Sequence, residues 1–258
     1  FAMPVAEIEQ ADAIVIVGSH LRHEVPLLHQ RLRKAVKRGA RVHVVNPVDF
    51  DVAFEVASKR IVPPSQLASA LGQVDLGDAA NIAVIVGAVA ENSPHAAAIR
   101  KAAGEFAAAK GAKLCRIPQG ANALGLAKHG VLPVSRDAQA MLREPRAAYV
   151  LHGIEPGLDF ADQLVALKAL GGAQVIALSQ FACQSTRRVA DVILPIGALP
   201  EVDATLTNLE GRDQVAGCAV LVAQQHRRDL GVGLGAEGET LAHEFGLQLG
   251  EVLDDAVV

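Results

Sequence analysis

Three small constellations in the 258-residue chain carry groups that could do chemistry. The first is Gly18-Ser19-His20, with His23 three residues on. A glycine directly after an apolar run marks the turn where doubly wound sheets bind ligands, and His20 and His23 could share one helical face. Two imidazoles with no third ligand nearby fall short of the three or four that a metal site needs, so no metal is expected here. The second is Glu210-Gly211-Arg212. The glycine permits a tight turn, and the opposite charges can then face one another. The third is the thiol set Cys115, Cys183 and Cys218. These cysteines lie far apart and form no C-x-x-C. Iron–sulfur clusters want several thiolates at close spacing, and a disulfide framework wants paired spacings. Neither is expected in this chain, which fits a reducing compartment.

The elements that must position these residues alternate between strand and helix. Ala13–Val17 is a continuous β-branched run that ends at Gly18, as a buried parallel strand does. Helical periodicity follows over Glu24–Lys37, with Val25, Leu28, Leu32, Ala35 and Val36 on one stripe. Basic residues gather toward its C-terminal end, where the helix dipole favours them. Arg41–Val45 is the second strand, closing on Asn46-Pro47, and the prolines at 63 and 64 end a short edge strand begun at Lys59. A second series starts at Asn81–Val86 and runs through an alanine-rich helix, Pro94–Lys110, into Ala112–Ile117. Pro118–Gly125 is then either a plain connecting loop or a glycine-lined approach to a ligand, with Asn122 as its polar group. Ala147–Leu151, a helix over Leu158–Leu170, Gln174–Leu178 and Ala190–Leu194 complete the alternation. The fold class is therefore α/β, with two doubly wound, Rossmann-like parallel-sheet units. Their expected spans are residues 1–77 and 78–214, followed by an atypical, partly flexible tail, 215–258. Within the tail, Glu239–Leu249 has a weak amphipathic stripe of Leu241, Phe245 and Leu249.

Composition narrows the function classes. The chain is 51% hydrophobic and 20% charged with a net charge of −4, so it lacks the basic footprint of a nucleic-acid binder. Aromatics are 3% and Trp is absent, which removes stacking platforms for bases. The longest apolar run, Ile82–Ala90, is too short to span a bilayer, so no direct membrane insertion is expected. No G-x-G-x-x-G follows any strand, so neither NAD nor flavin is expected. The sequence opens on Phe1 rather than Met and is read as a fragment of a longer protein.

The wording of several motifs goes beyond these physical patterns. Ala190–Pro195 (ADVILP), an acidic residue and then T-x-T-N-x-E-G-R-x-Q at 205–214 resemble the end of the core fold in the molybdopterin oxidoreductase superfamily. So do Gly153-Ile154-Glu155-Pro156 and the run from Phe181 to Ala190. Arg22–Leu28, Val44–Asp51, Pro118–Gly125, Gly130–Pro133 and TNLEGRDQ are most similar to the large iron–sulfur subunit of the bacterial respiratory NADH–quinone oxidoreductase (complex I). The resemblance is to the C-terminal part of that subunit; it runs from about Ala11 to Gln214 and stops there.

That resemblance implies a former pterin-binding scaffold that now packs against other peripheral-arm subunits, on the cytoplasmic side of the inner membrane. The parent complex moves electrons from NADH to quinone, coupled to proton translocation. Its 4Fe-4S and 2Fe-2S clusters would lie in a cysteine-rich region upstream, with no cofactor and no catalytic residue in these 258 positions. The vestigial pterin-site positions would be Gly18, His20, Asn46, Gly120, Asn122, Gly153, Glu155 and Asn208. Ser19, His20 and Val48 stand where pterin-binding relatives carry other polar wording. Two alternatives remain open on the sequence. One is a fragment of a true molybdopterin enzyme of the formate dehydrogenase or nitrate reductase type. The other is a free-standing nucleotide-binding domain, such as the central domain of thiamine diphosphate enzymes.

Overall fold

A computed structural model describes residues 1–133 and 135–217. Cys218 and the Glu239–Leu249 segment lie outside the described residues. The described chain divides into two compact units, one of residues 1–137 with 205–215, the other of residues 138–204 with 216–217.

The first unit is built on β1 (Ala13–Val17), β2 (Arg41–Asn46), β3 (Ser58–Ile61), β4 (Ile82–Val86) and β5 (Lys113–Arg116). They form one parallel sheet in the order β3-β2-β1-β4-β5. Every residue of β1 and β4 is buried, as continuous apolar runs in the middle of a covered parallel sheet should be. Alternation decides which layer each side chain enters. Val15, Val17, Val84 and Val86 pack with α3 (Leu67–Leu71) and α5 (Ala96–Lys110) on one face. Ile14, Ile16, Ala83 and Ile85 pack on the other, against Leu28, Leu32 and Ala35 of the helix after β1.

That helix is not continuous from Glu24. It is split into α1 (Leu21–Glu24) and α2 (Pro26–Lys37) at Val25, whose φ of −143° is extended. Pro26 is the cause: the residue before a proline is pushed out of the helical region, while proline itself suits the first helical position. The helix expected over Pro94–Lys110 is α5, which starts at Ala96, and a separate short turn that the pattern did not offer, α4 (Ala88–Glu91), precedes it. Gly111 ends α5 in the left-handed conformation.

The division expected at residue 77 falls inside this sheet. β4 pairs with β1 along its whole length, from Ala13 against Ile82 to Val17 against Val86. Residues 205–215 also return to the first unit. There β9 (Ala204–Thr207) and β10 (Asp213–Ala216) make a two-stranded sheet, reached after α6 (Ala123–Lys128) and the 138–204 stretch of the second unit.

The second unit contains α7 (Ala138–Arg143), α8 (Gln163–Leu170), α9 (Gln184–Val189) and the parallel strands β6 (Ala148–His152), β7 (Gln174–Ser179) and β8 (Val192–Pro195). The strands run in the order β6-β7-β8, so among the described residues this unit has no reversal of strand order. One sheet face buries Leu151, Val175 and Ala177 under Leu170 and Val189. The helix expected from Leu158 starts at Gln163, because the Asp162 carboxylate accepts the Val165 amide proton at 3.0 Å and caps the first turn.

Candidate functional site

In the first unit the order of strands reverses between β1 and β4, and ligands of doubly wound sheets bind outside the carboxyl ends of the strands at that point. Gly18 ends β1 with φ of +54°, and a Cβ there would lie 2.5 Å from Ala90 Cβ, so only glycine fits. The two strand ends are stitched together. Gly87 donates its amide proton to Val17 O at 3.1 Å, Ala90 donates to Gly18 O at 2.9 Å, and Gly18 donates to Val45 O at 2.9 Å.

Asn46, at the end of β2, spends its side-chain amide on one residue. Its Oδ1 accepts from Ser19 N at 2.8 Å and its Nδ2 donates to Ser19 O at 2.9 Å, both buried. His20 stacks on Phe50, with centroids 4.3 Å apart and planes 5° apart, and its ring lies 4.2 Å from that of His23. Burial first, and then the charge of His23, hold its pKa below the ordinary histidine value. A neutral His20 imidazole is thereby favoured at this turn. No cluster of three or more His, Cys, Asp or Glu among the described residues is placed to hold a metal ion.

The centre of the switch point is occupied by Glu24, a residue the sequence offered only as the start of a helix. Its Oε1 accepts from His20 N at 2.6 Å and from Ser19 Oγ at 3.0 Å. Its Oε2 accepts from Ala88 N at 2.7 Å, so one carboxylate satisfies donors that follow both β1 and β4. Beside it opens a cavity of about 370 Å³, lined by Glu24, Val25, Pro118, Gly120, Ala121 and Thr207 among others. A further hollow, about 460 Å³, lies among Glu9, Asp12, Arg38, Arg41 and Asp78, next to the amino ends of β1 and β2.

The vestigial positions inferred from resemblance distribute over both units. Gly18, His20, Asn46, Gly120, Asn122 and Asn208 belong to the first, Gly153 and Glu155 to the second. Gly120, with φ of +86°, borders the 370 Å³ cavity. Asn122 faces inward to the chain itself: its Oδ1 accepts from Thr207 N at 2.8 Å, and a Cβ on Gly125 would stand 2.2 Å from that same oxygen. The spacing of Asn122 and Gly125 thus follows from packing. Asn208 Oδ1 accepts from both Glu210 N and Arg212 N at 3.0 Å, folding the turn around Gly211, whose φ is +81°.

Other residues of TNLEGRDQ are engaged as well. Glu210 Oε1 accepts from Val5 N at 2.8 Å and Oε2 pairs with Arg212 at 3.0 Å. Lys128 and then Thr207 hold the Asp213 carboxyl below its ordinary pKa, through contacts of 2.8 and 2.7 Å.

In the second unit Gly153 turns with φ of +64° and donates to Leu178 O at 2.8 Å. The Glu155 amide donates to Asp159 Oδ2 at 2.7 Å. Cys183 Sγ lies 3.1 Å from Ser185 Oγ and from Thr186 Oγ1, and these hydroxyls lower its pKa, Ser185 first. Buried Cys115 belongs to the other unit, with its thiol pKa raised by burial.

Known proteins are similar to this chain in sequence and in fold. The molybdopterin oxidoreductase family model matches residues 1–230. The G subunit of the NADH-quinone oxidoreductase of Mycobacterium bovis is 25% identical over 96% of this chain and 35% of its own length. Its counterpart of the same name in Streptomyces coelicolor is 26% identical over 86% of this chain and 32% of its own. The chain thus spans about a third of the length of these curated relatives. Among solved structures, a chain of the formyltransferase/hydrolase complex from Methylorubrum extorquens superposes with a TM-score of 0.55 at 15% identity. The match covers 88% of this chain and 78% of that one, a likeness of fold.

Proposed function

The chain belongs to the molybdopterin oxidoreductase family, and from that membership we propose that it is a scaffold region of the large iron–sulfur subunit of an NADH–quinone oxidoreductase. In this reading the parent complex passes electrons from NADH through 4Fe-4S and 2Fe-2S clusters to quinone, coupled to proton translocation. The clusters sit on a cysteine-rich region outside this chain. The present residues fold, hold their shape and pack against other peripheral-arm subunits on the cytoplasmic side of the inner membrane. No described helix is long and apolar enough to cross a membrane, which is compatible with a peripheral place.

The observation that carries the reading is the state of the switch point. Polar groups at or near it that could receive a ligand are engaged inside the chain: Asn46 with Ser19, Asn122 Oδ1 with Thr207, and the His20 and Ala88 amides with Glu24. Groups engaged in this way are less available to a pterin nucleotide, which supports the reading. The described cysteines, Cys115 and Cys183, stand in different units and supply no set of thiolates.

The test is affinity purification of the intact protein through a tag on this region, from gently solubilised membranes. Co-purification with an NADH-oxidising activity, iron and labile sulfide is the expected outcome. A protein that comes away alone with molybdenum and a pterin would replace this reading with that of a molybdopterin enzyme of the formate dehydrogenase or nitrate reductase type.

A further inference from the structure

We infer that Glu24 is a resident anion, whose carboxylate takes the place at the β1–β4 switch point that the phosphate end of a pterin nucleotide or dinucleotide would need. The inference rests on the scaffold reading above and names the residue that closes the crevice.

In a doubly wound sheet, ligand phosphate sits against the glycine turn after the first strand, held by backbone amides and by the start of the following helix. Here those donors already have an acceptor. A carboxylate offers two oxygens and about four lone-pair positions, and Glu24 uses them on the amides of His20 and Ala88 and on the Ser19 hydroxyl. The amide contacts of 2.6 and 2.7 Å lie at the short end of the range for a charge-assisted bond. Glu24 can reach across because α1 is one turn long. Its break at Val25 leaves Glu24 as the last α1 residue, close to the turn from which the helix began.

Space points the same way. A Cβ on Gly87 would lie 2.3 Å from Ser19 Cβ and 2.6 Å from Glu24 Oε2, so the β1 and β4 turns meet without a gap. Asn46 fixes the Ser19 backbone from the other side through both of its polar atoms. The 370 Å³ cavity beside this contact has Glu24 among its lining residues, so an entering anion meets a like charge near by in place of open amides.

The experiment uses the full chain with Glu24→Ala and Glu24→Gln. Inorganic pyrophosphate and guanosine diphosphate serve as probes, and sodium acetate is compared with sodium chloride at equal ionic strength. Glu24→Ala leaves two backbone amides without an acceptor, and the midpoint of thermal unfolding falls by about 4–24 °C. Acetate restores part of that fall in Glu24→Ala and does nothing for the parent, while chloride helps neither. Glu24→Gln keeps one acceptor oxygen but turns an amide donor toward an amide donor, so it also melts below the parent; it carries the test where the alanine variant does not fold. The parent shows no shift beyond about 1 °C with either phosphate probe, as expected when no ligand binds appreciably. Variants that melt like the parent, or a parent stabilised by pyrophosphate or the nucleotide, would overturn the role given to Glu24. Pterin recovered with the protein from its own cells would instead overturn the scaffold reading, whatever the variants do.

Discussion

Replacing Glu210 by alanine separates two groups that the sequence presents as an equal pair. Spacing alone predicts that Glu210 and Arg212 are jointly structural and that Arg212→Ala destabilises. The structure makes them unequal: the Glu210 side chain is 16% exposed and the Arg212 side chain 70%. An exposed ion pair contributes about 0.2–1 kcal/mol, so Arg212→Ala should cost no more than that. Glu210 also accepts the Val5 amide across 205 residues of chain, in a partly buried setting. A hydrogen bond to a charged group contributes about 1.5–3 kcal/mol, and its loss leaves the amide unpaired. Together these give Glu210→Ala a cost of about 2–4 kcal/mol, or roughly 4–16 °C in melting midpoint at the 2–4 °C per kcal/mol usual for a domain of 150–250 residues. Urea unfolding of the parent, both single variants and the double variant supplies the comparison. The double variant should sit within about 0.5 kcal/mol of Glu210→Ala, because the pair has little left to lose. Equal costs for the two single variants would refute the argument, and so would a Glu210→Ala protein as stable as the parent.

Gly125→Ala should destabilise by about 1–3 kcal/mol, the range for overpacking, because its Cβ would stand 2.2 Å from Asn122 Oδ1. Adding Asn122→Ala should relieve the clash and make the double variant less unstable than the sum of the single variants, read by chemical denaturation; strict additivity would count against the contact. Burial lowers the pKa values of His29 and His43, and His43 Nε2 has no hydrogen-bond partner among the described atoms. The unfolded chain therefore binds more protons than the folded one just below the ordinary histidine value of about 6.5. Their contribution to stability should be complete above that pH and lost as pH falls through and below it. A urea midpoint that stays flat from pH 7 to pH 5 in the parent would refute this.

The elements with continuous or strongly periodic patterns were legible without coordinates. Ala13–Val17 falls where its β-branched run and terminal glycine place it, and Ile82–Val86 does the same one residue inside Asn81–Val86. A buried strand requires apolar side chains on both faces, and that requirement is written locally. The α/β class and the turn at Gly18 follow from the same local rules; that Gly18 and Gly153 turn with positive φ came from the structure. The break at Val25 was written in Pro26 as well, although the apolar stripe running through it masked the signal.

Other features depended on residues brought together from far apart. No local pattern tells that β4 joins β1, so the boundary expected at residue 77 cuts through one sheet. Glu24 meets the Ala88 amide at a separation of 64 residues, Asn122 meets Thr207 at 85, and Val5 meets Glu210 at 205. Glu24 reads alone as the start of a helix, Asn122 as the polar group of a loop and Glu210 as half of a charged turn. What gives each a task is a backbone amide at the end of another element, and an amide has no letter of its own in the sequence. Side-chain types therefore determined the sheets and turns, while the pairing of buried donors with distant acceptors, which fills the switch point, was decided only when the strands took their places.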